Sequence, residues 1–133
     1  MRDTTTADTA EGHVRAFLEG EQPRQEAFLA ELVRVPSDNP PGDCAPHAER
    51  AAALLEGLGL AVERHPVPPD LVRANGMVSA TNLVVRHRFG EGGPTIALNA
   101  HGDVVPPGEG WTHNPLWCRD RGRLDVWPRR RRL

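Results

Sequence analysis

The chain has 133 residues, which favours one domain with a hydrophobic core over two. No apolar run approaches the roughly 20 residues that cross a bilayer, and the opening MRDTTTADTAEGH lacks the apolar stretch of a signal peptide. Cys44 and Cys118 lie far apart in the sequence and predict reduced thiols, not a disulfide framework. We therefore expect a cytoplasmic protein without a membrane partner.

Charge divides the chain into two unequal parts. All 16 basic residues are arginine. Residues 117–133 hold seven arginines and two aspartates, whereas residues 1–116 hold nine arginines and sixteen acidic residues. An acidic body with a strongly basic tail indicates either an interaction tail or two segments of different origin.

Helical patterns dominate the first half of the chain. Residues 9–19 predict a short helix, which the glycine and proline that follow should interrupt. A second helix should begin at Pro23, because apolar residues recur at helical spacing: Phe28, Leu29, Leu32 and Val33. A third is predicted from about Pro46 to Leu58, with Gly59 as its stop and the loop SDNPPGD before it.

Strand patterns follow in the second half. LAVERHPV predicts a short strand, residues 68–80 a loop, and TNLVVRHRF a half-buried strand with Leu83, Val85 and Phe89 on one side. TIALNA, residues 95–100, predicts a buried strand, and the turn GEGGP should join it to the preceding strand as a hairpin. Helices followed by these strands predict an α/β fold with a mixed sheet.

His101 and Asp103 directly follow the predicted strand 95–100. Residues two apart at the end of a strand project to the same side, so the imidazole and the carboxylate can face one site. A neutral imidazole is a good zinc ligand, and a carboxylate that accepts its other N–H fixes the tautomer and the ring orientation. By chemistry alone, however, most His-x-Asp pairs are ordinary loop residues.

A wider pattern surrounds this pair. LNAHGDVVPPGEGWTHNPL resembles the signature of the zinc metallopeptidase superfamily of acetylornithine deacetylase, succinyl-diaminopimelate desuccinylase, aminoacylase and glutamate carboxypeptidase. The residues in step with that signature are His101, Asp103, Val105, Pro106, Gly108, Trp111, Asn114 and Pro115. Upstream, ELVRVPSDNPPGD, AERAAALLEGLGLAVERHPVP and TNLVVRHRFGEGGPTIALNAHGDVVP also resemble the family's opening helices, strand and hairpin. The resemblance covers roughly residues 24–116.

The resemblance implies the N-terminal part of a three-layer αβα catalytic domain, truncated here. It also implies two zinc ions that cleave an amide bond in an N-acyl-amino acid or a peptide. His101 would ligate one zinc ion, and Asp103 would orient that histidine as part of the catalytic site. Trp111, Asn114 and Pro115 would shape the wall below the site.

The remaining ligands of the family are not found in this sequence. They are a bridging Asp, a Glu–Glu pair that gives the general base and a ligand, a further acidic ligand and a distant His. A catalytic zinc needs about three protein ligands, and the spacing of His113, Cys118 and Asp120 matches no recurring zinc pattern. We therefore expect the isolated chain to be inactive as an enzyme.

Two interpretations of residues 117–133 remain open. With one consistent choice of GC-favoured codons, reading this segment one base later gives Gly-Ala-Glu-Ile at its start and Gly-Arg-Gly-Ala-Ala-Val at its end, and only the glycines from Trp117 and Trp127 are independent of that choice. The end of this reading contains the Gly-Arg-Gly-Ala of the family, which predicts a frameshifted tail after a catalytic-domain portion at 1–116. Alternatively, the chain is a non-catalytic remnant or a small binding module, whose arginines and tryptophans contact nucleic acid. An acidic body without a recognition module favours the first.

Overall fold

The structure is a computed structural model that describes residues 9–117. Along this range the elements are α1 (Ala10–Val33), α2 (Ala45–Gly57), β1 (Val62–Pro66), α3 (Pro69–Ala74) and β2 (Thr81–Val85). None of the helices within residues 9–117 is long and apolar enough to cross a membrane. The arginine-rich segment 118–133 lies outside the described residues.

Helix α1 is continuous, and the predicted interruption after residue 19 is wrong. Thr9 caps its N-terminus by accepting a 3.1 Å hydrogen bond from the backbone N–H of Gly12. Pro23 lies inside the helix. Because this part of α1 is largely exposed, the carbonyl that faces the proline ring can be hydrated. Ion pairs one turn apart, such as Arg24–Glu21 at 2.8 Å, add support around it.

Helix α2 agrees with its prediction to within one residue at each end. Pro46 lies in its first turn, where a missing N–H costs no helical hydrogen bond. The helix ends in a Schellman motif: Gly59 N–H donates to Glu56 O at 2.8 Å and Leu60 N–H to Leu55 O at 3.2 Å. Gly59 adopts φ +82°, a conformation that glycine reaches without a steric penalty.

Strands β1 and β2 form a two-stranded antiparallel sheet, with Val62 opposite Val85 and Pro66 opposite Thr81. The predicted hairpin between 81–89 and 95–100 is therefore wrong. Residues 95–100 form no strand, and the Leu98 side chain is 94 % exposed. A buried strand needs a neighbouring strand and a covering layer, and residues 9–117 provide neither to this segment.

The predicted loop at 68–80 contains the short helix α3. Pro69 and Asp70 lie in its first turn, where a fixed φ and a negative charge are both favourable. Val72 on this helix is buried, at 4 % exposure. Burial of this valine removes apolar surface from water and so stabilises the segment.

The core lies where the last turns of α1, helix α2 and the sheet meet. Small residues of the two helices fill it, namely Ala30, Ala48 and Ala52. Ion pairs surround it: Glu31 of α1 pairs with Arg50 of α2. Arg64 of β1 reaches both Glu49 and Glu56 of α2 at 2.6 Å. These pairs tie the helices to each other and to the sheet.

The fold is thus a small α/β unit, as expected at the level of class. The single sheet formed by residues 9–117 is antiparallel, so the expected mixed sheet is not present in this range. The exposed 95–100 segment leads directly to His101. The loop between α1 and α2 lies beside the residues that follow His101.

Candidate functional site

The segment after residue 100 is held against the loop that follows α1. Asn39 N–H donates to Val104 O at 2.8 Å, and Val104 N–H donates to Ser37 O at 3.1 Å. These two bonds form an isolated parallel bridge between Asp38 and Val104. The bridge brings His101 and Asp103 next to a loop that lies more than 60 residues earlier in the chain.

His101 and Asp103 contact each other directly. His101 Nδ1 lies 2.9 Å from Asp103 Oδ1 and 3.0 Å from the backbone oxygen of Asp103. An ionised carboxylate and a carbonyl can only accept hydrogen bonds, so Nδ1 carries the proton. The lone pair of the neutral ring is then on Nε2. The His101 side chain is 86 % exposed, so this nitrogen is open to a ligand.

Asp103 is fixed by a second partner. Asn39 Nδ2 donates to Asp103 Oδ2 at 3.1 Å, and the Asp103 side chain is 38 % exposed. The Asn39 amide, and next the His101 ring, lower the pKa of the Asp103 carboxyl below its ordinary value. Asp103 is therefore ionised at neutral pH and serves as a pure acceptor for His101.

Ser37 and His47 surround the backbone of Gly102. Ser37 is buried, and its hydroxyl donates to Gly102 O at 2.7 Å. The His47 ring, from the first turn of α2, packs close to the Gly102 backbone. A Cβ atom at Gly102 would lie 3.0 Å from His47 Cε1 and Nδ1. Burial lowers the pKa of His47, so the neutral ring is favoured in this position.

Cys44 lies at the start of α2 beside the same loop. Burial raises the pKa of its thiol, and the negative charges of Asp103 and Asp43 raise it further. The protonated thiol is the poorer nucleophile. The surroundings of Cys44 therefore do not favour a nucleophilic role.

The Trp-x-x-Asn-Pro part of the signature forms a turn. Leu116 N–H donates to Asn114 Oδ1 at 2.9 Å, and Trp117 N–H donates to Asn114 O at 3.0 Å. Asn114 therefore acts as a turn former through its side chain. Trp111 is 39 % exposed. Its predicted role in a site wall stays a prediction.

The sequence predicts His101 as a metal ligand. His101 with Asp103 behind it has the arrangement of a zinc ligand and its orienting carboxylate. Residues 9–117 contain no group of three or more His, Cys, Asp or Glu side chains that could hold a metal ion. A catalytic zinc needs about three protein ligands, so the described residues alone do not fit a complete zinc site.

Three residues of the site were missed by sequence reasoning: Ser37, Asn39 and His47. The sequence predicted SDNPPGD only as a loop, and no pattern singled out His47. No local pattern connects these residues to Asp103. The cluster of polar side chains between Pro36 and Pro40 was the available signal, because a loop rich in hydrogen-bonding groups often holds a site.

Comparison with curated proteins identifies relatives for this segment. The chain is 33 % identical over 102 residues to succinyl-diaminopimelate desuccinylase of Erythrobacter litoralis. The matched region covers 73 % of this chain and 25 % of that enzyme. It is 40 % identical over 95 residues to the desuccinylase of Rhizorhabdus wittichii, covering 70 % and 22 %. It is 36 % identical over 108 residues to cysteinylglycine-S-conjugate dipeptidase of Corynebacterium striatum, covering 74 % and 22 %.

The chain belongs to the desuccinylase and dipeptidase superfamily of zinc metallopeptidases. The resemblance of the sequence motif to this superfamily is thereby confirmed. The matched region spans about a quarter of the length of these relatives. No protein-family model matches the chain, and no solved structure matches it.

Proposed function

We propose that this chain provides one part of the active site of an amide-bond hydrolase. The observation that carries the proposal is the 2.9 Å contact between His101 Nδ1 and Asp103 Oδ1, in a chain related to desuccinylases and a dipeptidase. The contact leaves Nε2 of an exposed imidazole as a ready metal ligand. The rest of the three-layer αβα domain and the other ligands would come from outside the described residues.

In this proposal His101 is a zinc ligand through Nε2 and Asp103 is the residue that orients it. Two zinc ions, held with the further ligands of the superfamily, would supply Lewis acidity that polarises a carbonyl and lowers the pKa of a water molecule. Asp103 keeps the Nδ1 proton in place, and Ser37 holds the Gly102 carbonyl between the two residues. The chain thus contributes orientation and one ligand, not a complete site.

The names of the relatives suggest the substrates to test. These names point to two kinds of bond, namely the succinyl amide of succinyl-diaminopimelate and the peptide bond of a cysteinylglycine conjugate. Both are amides of small, amino-acid-like molecules. We propose an N-acyl-amino acid or a dipeptide as the substrate class, with no membrane or nucleic-acid partner, and a cytoplasmic location.

Metal binding by the full chain tests the role of His101. With ¹⁵N-labelled protein, Zn²⁺ should shift the His101 Nε2 resonance and leave Nδ1 protonated. His101→Ala should remove the strongest binding, whereas His87→Ala should not, because His87 is exposed and packs against Phe89. Equal loss in both variants would refute a specific role for His101.

Hydrolysis is tested in a chimera, because the isolated chain is expected to be inactive on both substrates. Residues 24–116 would replace the homologous segment of the Erythrobacter litoralis enzyme. Zinc-dependent release of succinate, lost on His101→Ala, is the expected result. A chimera that folds and binds zinc but does not hydrolyse would contradict the proposal. Nucleic-acid binding by the full chain that weakens with salt and is lost on deleting 117–133 would favour a binding module instead.

We also propose that 1–116 is the catalytic-domain portion and that 117–133 is a frameshifted reading of the segment that follows it. Trp117 and Trp127 each force a glycine in the neighbouring frame, because TGG read one base later begins with GG. The coding sequence tests this directly. A neighbouring frame that lacks the Asp-, Glu- and His-bearing motifs of the superfamily would exclude a frameshift.

A further inference from the structure

We propose that Asn39 is a positioning residue that sets the tautomer of His101 through Asp103. Asn39 contacts Asp103 Oδ2, and His101 contacts Asp103 Oδ1. The carboxylate therefore lies between a fixed amide donor and the imidazole. The importance of this relay for catalysis rests on the proposed function, but the relay itself requires neither metal nor substrate.

The backbone of Asn39 is anchored independently of its side chain. Its N–H donates to Val104 O at 2.8 Å, one residue beyond Asp103, and Val104 N–H returns a bond to Ser37 O. The distance from the Asn39 backbone to Asp103 is thus set by main-chain hydrogen bonds. A substitution at the Asn39 side chain can therefore leave the loop in place while it removes the contact with Asp103.

Space for the Asn39 amide is provided by Gly42. A Cβ atom at Gly42 would lie 3.1 Å from Asn39 Oδ1 and 2.9 Å from Met77 Cγ. The amide oxygen is thus packed on the glycine side, and Nδ2 faces the carboxylate of Asp103. An ionised carboxylate only accepts, so the chemistry also requires nitrogen, not oxygen, at this contact.

The consequence for His101 follows from the geometry of the carboxylate. With Oδ2 held by Asn39, Oδ1 remains directed to Nδ1, and the backbone oxygen of Asp103 accepts from the same proton at 3.0 Å. Without Asn39 the carboxylate can rotate, and Nδ1 loses its stronger acceptor for part of the time. The Nε2–H tautomer then becomes more populated, and that tautomer has no lone pair on Nε2.

Single variants test the two contacts separately. Tautomer populations of His101 would be read from the imidazole ¹⁵N shifts of the full, metal-free chain at about pH 8, where histidine is neutral. The wild type should favour Nδ1–H. Asn39→Asp should lower the Nδ1–H fraction, because two carboxylates repel each other at this distance. Asp103→Asn should lower it as well, because Asn39 binds the amide oxygen and the amide nitrogen then faces His101.

A double variant separates positioning from a merely structural role. In Asn39→Asp/Asp103→Asn the new carboxylate at 39 accepts from the amide nitrogen at 103, so the amide oxygen is returned to His101. The Nδ1–H fraction should recover above that of either single variant. Asn82→Asp is the matched control, because Asn82 is exposed on β2, and it should leave the tautomer ratio unchanged.

A double variant no better than Asp103→Asn would overturn the inference, as would a wild-type ring without Nδ1–H preference. Folding is monitored in the same samples by the Val104 amide resonance, which reports the bridge to Ser37. This experiment can succeed even if the chimera described above is inactive, and it can fail while His101 still binds zinc. The two proposals are therefore tested separately.

Discussion

Ser37 donates its hydroxyl to the carbonyl oxygen of Gly102 at 2.7 Å, although 65 residues separate them. Ser37 is 4 % exposed and is the buried polar residue of the described part of the chain. The bond fixes the residue between His101 and Asp103 from the backbone side. It also makes the geometry of the site dependent on a loop that lies 65 residues earlier in the sequence.

Ser37→Ala should loosen the site locally. It removes the donor to Gly102 O, and because Gly102 is exposed water can replace that donor, so the loss should be that of an ordinary hydrogen bond, about 0.5–1.5 kcal/mol. The free energy of local opening, measured by hydrogen exchange of the Val104 amide, should fall by about this amount. Thr112→Ala is a control on an exposed threonine and should change it by less than about 0.5 kcal/mol. Equal exchange in wild type and Ser37→Ala would contradict the expectation.

Gly102→Ala should displace the His47 ring. The new Cβ atom would lie 3.0 Å from two ring atoms, which is tighter than ordinary van der Waals contact, so the ring must move for the alanine to fit. The free energy of unfolding in urea should decrease. Gly108→Ala is the matched control, because a Cβ atom there meets nothing within 4 Å.

The same substitution can be tested in a second background. In His47→Ala the ring is absent, so adding Gly102→Ala should cost less than it does in the wild type. An equal cost in both backgrounds would place the strain elsewhere.

Stability should fall as the pH is lowered through the range in which histidine titrates. Burial holds the pKa of His47 in the folded chain below its ordinary value near 6.5, so the unfolded chain binds a proton more readily. Stability linked to His47 is then fully present above pH 6.5 and is lost as the pH falls through the folded pKa. His47→Gln should flatten the urea-derived stability between about pH 7 and 5. His87→Gln, at an exposed histidine, is the matched comparison variant.

The exposed apolar side chains after β2 should promote self-association. Ile96 and Leu98 are 79 % and 94 % exposed, and exposed apolar segments that can pair as strands are association sites. Ile96→Thr/Leu98→Gln should shift light-scattering masses towards the monomer at high concentration. Val78→Thr, which changes an exposed valine elsewhere, is the control. A wild-type chain that remains monomeric and unfolds cooperatively would contradict this prediction.

The sequence predicted local features of the fold better than the pairing of its elements. Helix α2 was located within one residue, because its alanine and leucine periodicity and Gly59 are all local signals. The β1 and β2 segments were also recognised, but their pairing with each other was not. The turn GEGGP suggested a hairpin, whereas β2 pairs backwards with β1 across α3. Strand partners are chosen by tertiary packing, which a local pattern does not report.

The same limit applies to the candidate site. His101 and Asp103 were found because they are two residues apart and both carry chemistry. Asn39 contacts Asp103 from 64 residues away, and Ser37 contacts Gly102, which lies between the pair, from 65 residues away. No spacing rule spans that distance. Pro23 shows the opposite case. A strong local rule predicted a break in the helix, but the exposed helix accommodates this proline and remains continuous.

The bridge between the two loops also restricts where proline can occur. Prolines stand at 36, 40 and 41, on both sides of the bridge. Position 39 must keep an N–H group for Val104 O, and position 104 must keep one for Ser37 O. A proline at position 39 would therefore remove the hydrogen bond to Val104 O that holds the loop against the His101 segment. The first position at which this proline run can begin is therefore set by the hydrogen bond between Asn39 N–H and Val104 O, two residues far apart in the sequence.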